Sequence, residues 1–154
     1  MTNSLDNIEL RKMTAADIDA VYAMELEVFD DAPWPRDWFD EGVNDPDGYY
    51  FLAYSDSILV GYCGMYNVTS KTPNYCKIAK LAVKQDFRRR GIGNLLMHKM
   101  LDTAEQLGLD TVKLEVSTKN GAVKLYRSLG FKIEETIENY YEKSGEDAYI
   151  MWRF

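Results

Sequence analysis

The run Arg88-Arg89-Arg90-Gly91-Ile92-Gly93 has the clearest chemistry in this sequence, because it joins an expected strand to an expected helix. Glycines at 91 and 93 let the main chain approach an anion closely, and the first amides and the dipole of a helix favour negative charge. The run lacks the Lys-Ser/Thr of a P-loop and the GxGxxG of a dinucleotide fold. It therefore predicts a phosphate site of another kind. The alternative is a flexible, glycine-containing turn whose arginines only face solvent.

Other reactive side chains are few and isolated. The two cysteines, Cys63 and Cys76, lie in apolar strand-like runs without metal-ligand spacing, which predicts free buried thiols rather than a disulfide. The single histidine, His98, has no Cys or His close to it in the sequence. We therefore expect no zinc site and no Cys-His pair for nucleophilic catalysis.

Charge is distributed unevenly along this acidic chain, whose formal net charge is −7. Six basic residues stand against one acid between Lys77 and Arg90, whereas acids outnumber bases nine to one between Glu25 and Asp47 and six to one between Glu134 and Asp147. If these segments surround one cleft, the basic segment would bind a polyanion and the two acidic segments would attract a cation. The alternative is that the charged residues simply face solvent. One short basic patch on an acidic chain argues against nucleic-acid binding.

Length and hydropathy predict one domain, residues 1–154, with a core of its own. No stretch of 18 apolar residues occurs, and the segment from Met1 to Glu9 is polar, so neither a membrane span nor a secretory signal is expected. The expected location is the cytoplasm, without a membrane partner.

Hydrophobic periodicity and turn residues predict an alternating series of strands and helices. The expected strands are Ile8–Lys12, Tyr50–Ser55, Ile58–Val68, Tyr75–Val83, Thr111–Val116, Phe131–Tyr141 and Ala148–Trp152, and the expected helices are Ala15–Phe29, Arg36–Val43, Asn94–Leu107 and Gly121–Leu129. The apolar end of the fourth strand predicts burial on both faces, and Thr14 and Gly108 are expected helix caps. This order implies an α/β fold with a mixed, mostly antiparallel sheet, a central parallel strand pair and flanking helices.

Several motifs, in the right order, resemble those of the GNAT acetyltransferase superfamily. The run from Arg88 to Gly93 resembles the loop with which these enzymes bind the pyrophosphate of acetyl-coenzyme A. Lys113-Leu114-Glu115-Val116, Asn120, Ala122 to Tyr126 and Leu129-Gly130-Phe131 resemble the strand, loop and helix that follow it. Glu25, Phe29 and Pro33-Trp34, then Asn139-Tyr140-Tyr141 and Glu146-Asp147-Ala148 before Met151, resemble the ribosomal-protein alanine N-acetyltransferase group and other protein N-terminal acetyltransferases.

The resemblance implies a donor, acetyl-coenzyme A, and a set of site residues without a metal. The implied cofactor contacts are Leu81, Ala82 and Val83 for the pantetheine arm, Arg88, Arg89, Arg90, Gly91, Ile92 and Gly93 for the pyrophosphate, and Asn120. The implied acceptor side comprises Glu25, Pro33, Trp34, Tyr140 and Tyr141, whose alternative role is packing. Glu115 corresponds to the family's proposed general base; its alternative is an ordinary strand carboxylate that faces solvent. Tyr126 corresponds to the proposed acid that protonates the coenzyme A sulfur; its alternative is an aromatic side chain packed in the core.

Two spacings depart from the family pattern. The family usually has seven positions from its loop Asn to its helix Tyr, whereas Asn120 to Tyr126 is six, and the Pro33-Trp34 loop is one residue longer than usual. If the shorter spacing displaces Tyr126, the protein could instead be a non-catalytic module that only binds coenzyme A.

Acetyl transfer from a thioester to an amine needs a neutral amine, a polarised carbonyl and a proton for the thiolate, so direct attack in a ternary complex suffices. An α-amine with a pKa of about 7.8 is about 15% neutral at pH 7, whereas a lysine with a pKa of about 10.4 is neutral in about one molecule in 2,500. These values favour an α-amine, and the resemblance implies that the acceptor is the N-terminal α-amine of a protein such as a ribosomal protein. The acidic segments fit a small cationic amine, such as a polyamine or aminoglycoside, equally well.

Overall fold

The computed structural model describes residues 7–29 and 32–154. Most of the polar N-terminal segment, and Asp30 and Asp31 of the acidic segment between Glu25 and Asp47, therefore lie outside the described residues. The strands are β1 (Ile8–Lys12), β2 (Gly48–Ser55), β3 (Ile58–Val68), β4 (Tyr75–Val83), β5 (Val112–Ser117), β6 (Lys132–Ile137) and β7 (Ala148–Arg153). The α-helices are α1 (Ile18–Val28), α2 (Arg36–Asn44), α3 (Ile92–Gln106) and α4 (Val123–Ser128).

The strands form one sheet in the order β1-β2-β3-β4-β5-β7-β6. The pairs β1/β2, β2/β3, β5/β7 and β6/β7 are antiparallel, and β4/β5 is parallel. In the parallel pair Cys76 lies opposite Val112, and Lys77 lies opposite Lys113. The predicted mixed, mostly antiparallel α/β fold with a parallel pair is confirmed.

The described chain divides into two compact units, one within Met1–Tyr66 and Ala79–Asp102, the other comprising Asn67–Ile78 and Thr103–Phe154. In the first unit α1 and α2 contribute apolar side chains to a core that also includes strand residues. Its buried members are Met13, Ile18, Val21, Met24, Phe39, Tyr50, Leu52, Tyr62 and Ala82. Among the described residues, no helix is long and apolar enough to cross a membrane.

The first helix begins three residues later than predicted. Thr14 donates from both its amide and its hydroxyl to Asp17 Oδ2, at 2.8 and 3.0 Å, and Arg11 contacts the other oxygen at 2.9 Å. Because the Asp17 carboxylate binds back to Thr14, Ala15–Asp17 forms a 3-10 turn and α1 starts at Ile18. The helical spacing predicted a buried face of Ile18, Val21, Tyr22, Leu26 and Phe29; Ile18 and Val21 are buried and Tyr22 and Phe29 half-buried, but Leu26 is exposed, so the prediction was wrong there.

Tyr50 of β2 lies in a narrow slot between two glycines. A Cβ atom added to Gly42 of α2 would lie 2.5 Å from the Tyr50 ring, and one added to Gly64 of β3 would also lie inside contact distance. Only glycine at these two positions therefore leaves room for the ring. This Tyr50 slot connects α2 to the first-unit strands.

Helix α3 begins two residues before the predicted start and buries Ile92, Leu96, Met97, Met100 and Ala104. Gly91 precedes it with a φ of +85° and Gly108 follows it with a φ of +74°, which confirms the predicted C-terminal cap.

Two strand predictions were wrong in part. The sixth strand was expected to reach Tyr141 but ends at Ile137, because Asn139 adopts a φ of +52° and its amide donates to Asp147 Oδ1 at 2.9 Å. The hairpin of β6 and β7 is confirmed, but Tyr140 lies in the connection between them. The apolar end of β4 is buried on one face only, because side chains alternate along a strand: Ala82 is buried, and its neighbours are half-buried.

The two cysteines are buried free thiols, as predicted.

Candidate active site

The first unit contains the predicted anion loop. Arg89 and Gly91 both have positive φ values, +62° and +85°, so the backbone passes twice through the left-handed region before α3 begins at Ile92. The amide of Leu95 donates to the Gly91 carbonyl at 2.9 Å. The amides of residues 92–94 therefore precede the first donor of the helical ladder and have no acceptor within the helix. This geometry suits a phosphate.

The three arginines of the loop are exposed. Arg88 is directed to the end of β4, where its Nε donates to the Val83 carbonyl at 3.1 Å. The guanidinium of Arg90 lies over the Phe87 ring, 5.0 Å from its centroid. The loop thus adds exposed positive charge to the bare amides, and Leu81 and Val83 lie half-buried on the strand that leads into it.

Glu25 and Trp34, both expected on the acceptor side, are brought together in the first unit. The Glu25 carboxylate is completely buried; its Oε2 accepts from the Trp34 amide and from Lys80 Nζ, both at 2.8 Å, and its Oε1 accepts from the Tyr62 hydroxyl. Pro33 is half-buried beside Trp34. The structure therefore gives the Glu25 carboxylate internal partners.

Lys80 was not among the predicted site residues. Burial lowers its pKa, while the hydrogen bond and the charge of Glu25 oppose that shift. One signal in the sequence pointed to it: a lysine inside the apolar run from Ile78 to Val83 needs a partner if the strand is buried. The partner itself, 55 residues earlier, had no local signal.

Glu115, the predicted base, is half-buried on β5 of the second unit. Its Oε2 lies 2.8 Å from Lys77 Nζ, and its Oε1 accepts a hydrogen bond from the Tyr140 hydroxyl. Burial acts to raise the pKa of Glu115, but the bonds from Lys77 and Tyr140 outweigh it, so the pKa lies below its ordinary value. The carboxylate is therefore ionised at neutral pH.

Tyr140 and Tyr141 lie in the connection between β6 and β7, with their rings edge to face and their centroids 5.1 Å apart. The Tyr141 amide donates to the Glu146 carbonyl at 3.2 Å, and the Tyr141 carbonyl accepts from Gly145 at 2.8 Å. This closed turn holds Tyr140 against Glu115. Burial, with the charge of Glu115, raises the pKa of Tyr141 to about 12.

Tyr126, the predicted acid, is buried on α4, where its ring packs against Phe131 at a centroid distance of 6.1 Å. Burial, with a contribution from Tyr141, raises its pKa to about 12, so its phenol stays protonated at neutral pH. Asn120 is exposed, and its Oδ1 accepts from the Ala122 amide at 2.8 Å. Asn120, six positions before Tyr126, thus stabilises the turn that leads into α4.

The second unit therefore holds an ionised carboxylate, which can accept a proton, and a protonated phenol, which can donate one. The first unit holds a loop suited to a phosphate. Among the described residues, no group of three His, Cys, Asp or Glu side chains is placed to hold a metal ion.

The sequence model of the acetyltransferase (GNAT) family matches residues 15–131. The chain belongs to this family. The GNAT chain is 34% identical to N-alpha-acetyltransferase RimI of Mycobacterium tuberculosis, over 99% of its own length and 96% of the relative's. It is 36% identical to the uncharacterized protein ML0378 of Mycobacterium leprae, again over 99% of its own length, but it spans only 42% of that relative.

A solved structure agrees with these sequence relatives. The crystal structure of the ribosomal-protein-S18-alanine N-acetyltransferase from Escherichia coli matches the GNAT chain with a TM-score of 0.84 and 27% identity, covering 95% of this chain and 92% of that one. The resemblance to the GNAT superfamily is confirmed, and the protein is an N-acetyltransferase enzyme.

Proposed function

We propose that this enzyme transfers an acetyl group from acetyl-coenzyme A to the N-terminal α-amine of a protein, such as a ribosomal protein, by direct attack in a ternary complex. The observation that carries this proposal is the pairing of Glu115 with Lys77 and Tyr140, which keeps a carboxylate ionised in the unit that also holds the protonated Tyr126. The named acetyltransferases that the chain resembles act on the same chemical group, which supports the choice of acceptor.

The donor side rests on the loop at the start of α3. Its backbone amides bind the pyrophosphate, and its arginines add charge around it. The proposed donor residues are Leu81, Ala82 and Val83 for the pantetheine arm, Arg88, Arg89, Arg90, Gly91, Ile92 and Gly93 for the pyrophosphate, and Asn120 for a further contact. The thioester supplies the activated acetyl group.

The acid-base residues then move two protons. As the amine nitrogen bonds to the acetyl carbon and the carbon-sulfur bond breaks, Glu115 takes a proton from the amine, directly or through a water. Tyr126 gives its proton to the departing sulfur. No enzyme-bound acetyl intermediate forms, and an α-amine needs only a weak base because its ordinary pKa is about 7.8.

On the acceptor side, Pro33 and Trp34 of the first unit, and Tyr140 and Tyr141 of the second, are the proposed contacts for the peptide. Glu25 supports Trp34 from within. Because the family match extends through both compact units, we propose that residues 1–154 act as one acetyltransferase domain. A ribosomal-protein substrate would place the reaction in the cytoplasm.

Mass spectrometry after incubation with acetyl-coenzyme A tests the acceptor. We expect acetylation of the α-amine in peptides that begin with Ala or Ser, and none when the α-amine is blocked, even if a lysine is present. Acetylation of spermidine or an aminoglycoside without any peptide product would replace the proposed acceptor with a small amine. Binding of acetyl-coenzyme A without acetylation of any amine would instead favour a non-catalytic module.

A further inference from the structure

We propose that Lys80 is a positioning residue for the acceptor: with Glu25 it forms a buried clamp that fixes the segment carrying Pro33 and Trp34. The inference deepens the proposed function, since it rests on the assignment of that segment to the acceptor side. We call the contacts of Lys80, Glu25 and Trp34 the Lys80 clamp.

The ion pair at the centre of the clamp is enclosed. The Lys80 side chain is 8% exposed, that of Glu25 is 0% exposed, and their charged atoms are 2.8 Å apart. A buried charge is costly unless it is paired and hydrogen-bonded, so each of these groups depends on the other for burial. Tyr62 occupies the second carboxylate oxygen, which leaves the carboxylate with three donors in all.

The clamp holds the connection between α1 and α2 at two points. The Lys80 ammonium lies 3.9 Å from the centroid of the Phe29 ring, at the end of α1, and 4.5 Å from that of the Trp34 ring, just before α2. Both distances are within the range of cation–π attraction. The Trp34 amide binds the same carboxylate oxygen as Lys80. The backbone and the ring of Trp34 are thus fixed by one ion pair.

Two consequences follow for the proposed reaction. Lys80 immediately precedes Leu81, so one strand carries both the clamp and a proposed donor contact. In addition, the Glu25 charge is already compensated by Lys80, so Glu25 acts on the acceptor through the position of Trp34 and not by binding the incoming ammonium.

The test compares the single variants Lys80→Met and Glu25→Gln with the double variant Lys80→Met/Glu25→Gln. Lys80→Met alone leaves a buried carboxylate without its counter-ion; in the double variant a neutral amide oxygen still accepts from Trp34 and needs no cation. Lys12→Met, at an exposed lysine of β1, is the matched control. The three readouts are hydrogen exchange of the Trp34 amide by NMR, acetyl-coenzyme A affinity by calorimetry, and peptide KM and kcat.

We expect Lys80→Met to speed Trp34 amide exchange and raise the peptide KM, each by about tenfold or more, with kcat and cofactor affinity within about threefold of the parent. In the double variant the peptide KM should return most of the way to the value of the parent enzyme. Lys80→Gln, which keeps a donor for Glu25 but removes the charge, should give an intermediate KM and provides a second measurement if Lys80→Met does not fold.

Other outcomes reject the clamp. Additive effects of the two substitutions on KM would show that Lys80 and Glu25 act independently. If Lys80→Met lowered kcat, cofactor affinity and exchange protection throughout the first unit to the same extent, the role of Lys80 would be purely structural. Because amide exchange needs no acceptor, the clamp is measured separately from the proposed function. If the parent enzyme acetylates no peptide, the proposed acceptor fails, and KM is then measured with the amine that it does acetylate.

Discussion

Lys77 and Glu115 form an ion pair in which Nζ lies 2.8 Å from Oε2. The pair follows from the parallel register, because Lys77 lies opposite Lys113 and side chains two residues apart share a face of the sheet. The Tyr140 hydroxyl binds the other oxygen of Glu115. Together these donors hold the pKa of Glu115 below its ordinary value despite burial.

Removing Lys77 should move the pH dependence of the reaction. The folded protein holds the Glu115 pKa low, so Lys77→Met raises it and the carboxylate becomes protonated at a higher pH. The substrate amine sets the first inflection of the acid limb of kcat/KM, and we expect the second inflection at lower pH, which reports Glu115, to shift to higher pH. Lys132→Met, at an exposed lysine of β6, should leave the profile in place. Profiles that coincide for Lys77→Met and the parent would contradict the assignment of Glu115 as base.

Tyr126→Phe should lower kcat by about a hundredfold, because a positioned acid commonly contributes on that order, while acetyl-coenzyme A affinity changes little. Since burial raises the pKa of Tyr126 to about 12, the phenol stays protonated up to strongly alkaline pH and should produce no alkaline limb near neutrality. Single-turnover kinetics and calorimetry separate the two effects. Tyr75→Phe, on a half-buried ring packed against Trp152, is the control. Full single-turnover activity in Tyr126→Phe would reject the acid role.

The two glycines that flank α3 allow a matched test of the anion loop. Gly91→Val and Gly108→Val both force a branched side chain into a positive φ, which costs on the order of 1–3 kcal/mol of stability. We expect only Gly91→Val to weaken acetyl-coenzyme A binding in calorimetry, by more than about tenfold, because it lies beside the amides that are proposed to bind phosphate. Arg88→Ala should have a smaller effect. Equal affinities in the two glycine variants would remove the loop from the donor site.

Recognition of a basic N-terminus should depend on salt. Asp37 and Glu41 of α2, and Glu134 of β6, are exposed carboxylates, and exposed charges more than about 8 Å apart are largely screened at 0.15 M salt. We expect kcat/KM for a lysine-rich peptide to fall as salt rises, while that for a glutamate-rich peptide of equal length stays level or rises. Steady-state rates at three salt concentrations suffice, and parallel salt curves for the two peptides would contradict electrostatic attraction.

Local signals determined which parts of the fold were predictable. The bounds of β3 and β4 agree with the prediction, because turn residues delimit their apolar runs. The hairpin was predicted to turn at Lys143-Ser144-Gly145, which placed Tyr140 and Tyr141 in a strand, but the pairing ends before them at Ile137, and Asn139 has a positive φ.

The partners of the candidate site residues were harder to anticipate. Glu115 was named from a motif, whereas its contact with Lys77 depends on the strand register, and that of Glu25 with Lys80 depends on tertiary packing. Neither pairing has a short-range pattern. The roles of Glu115 and Tyr126 stay predictions for the variants above.

The Tyr50 slot has a consequence for the acceptor segment of the first unit. Glu25 fixes the amide of Trp34 shortly before α2, and the slot fixes Gly42 near the end of α2, so the stretch from Trp34 to Gly42 is anchored at both ends. A stretch restrained in this way has little conformational entropy left to lose when a peptide binds. We expect the two glycines around Tyr50 to contribute to peptide affinity through this order, which exists before the substrate binds.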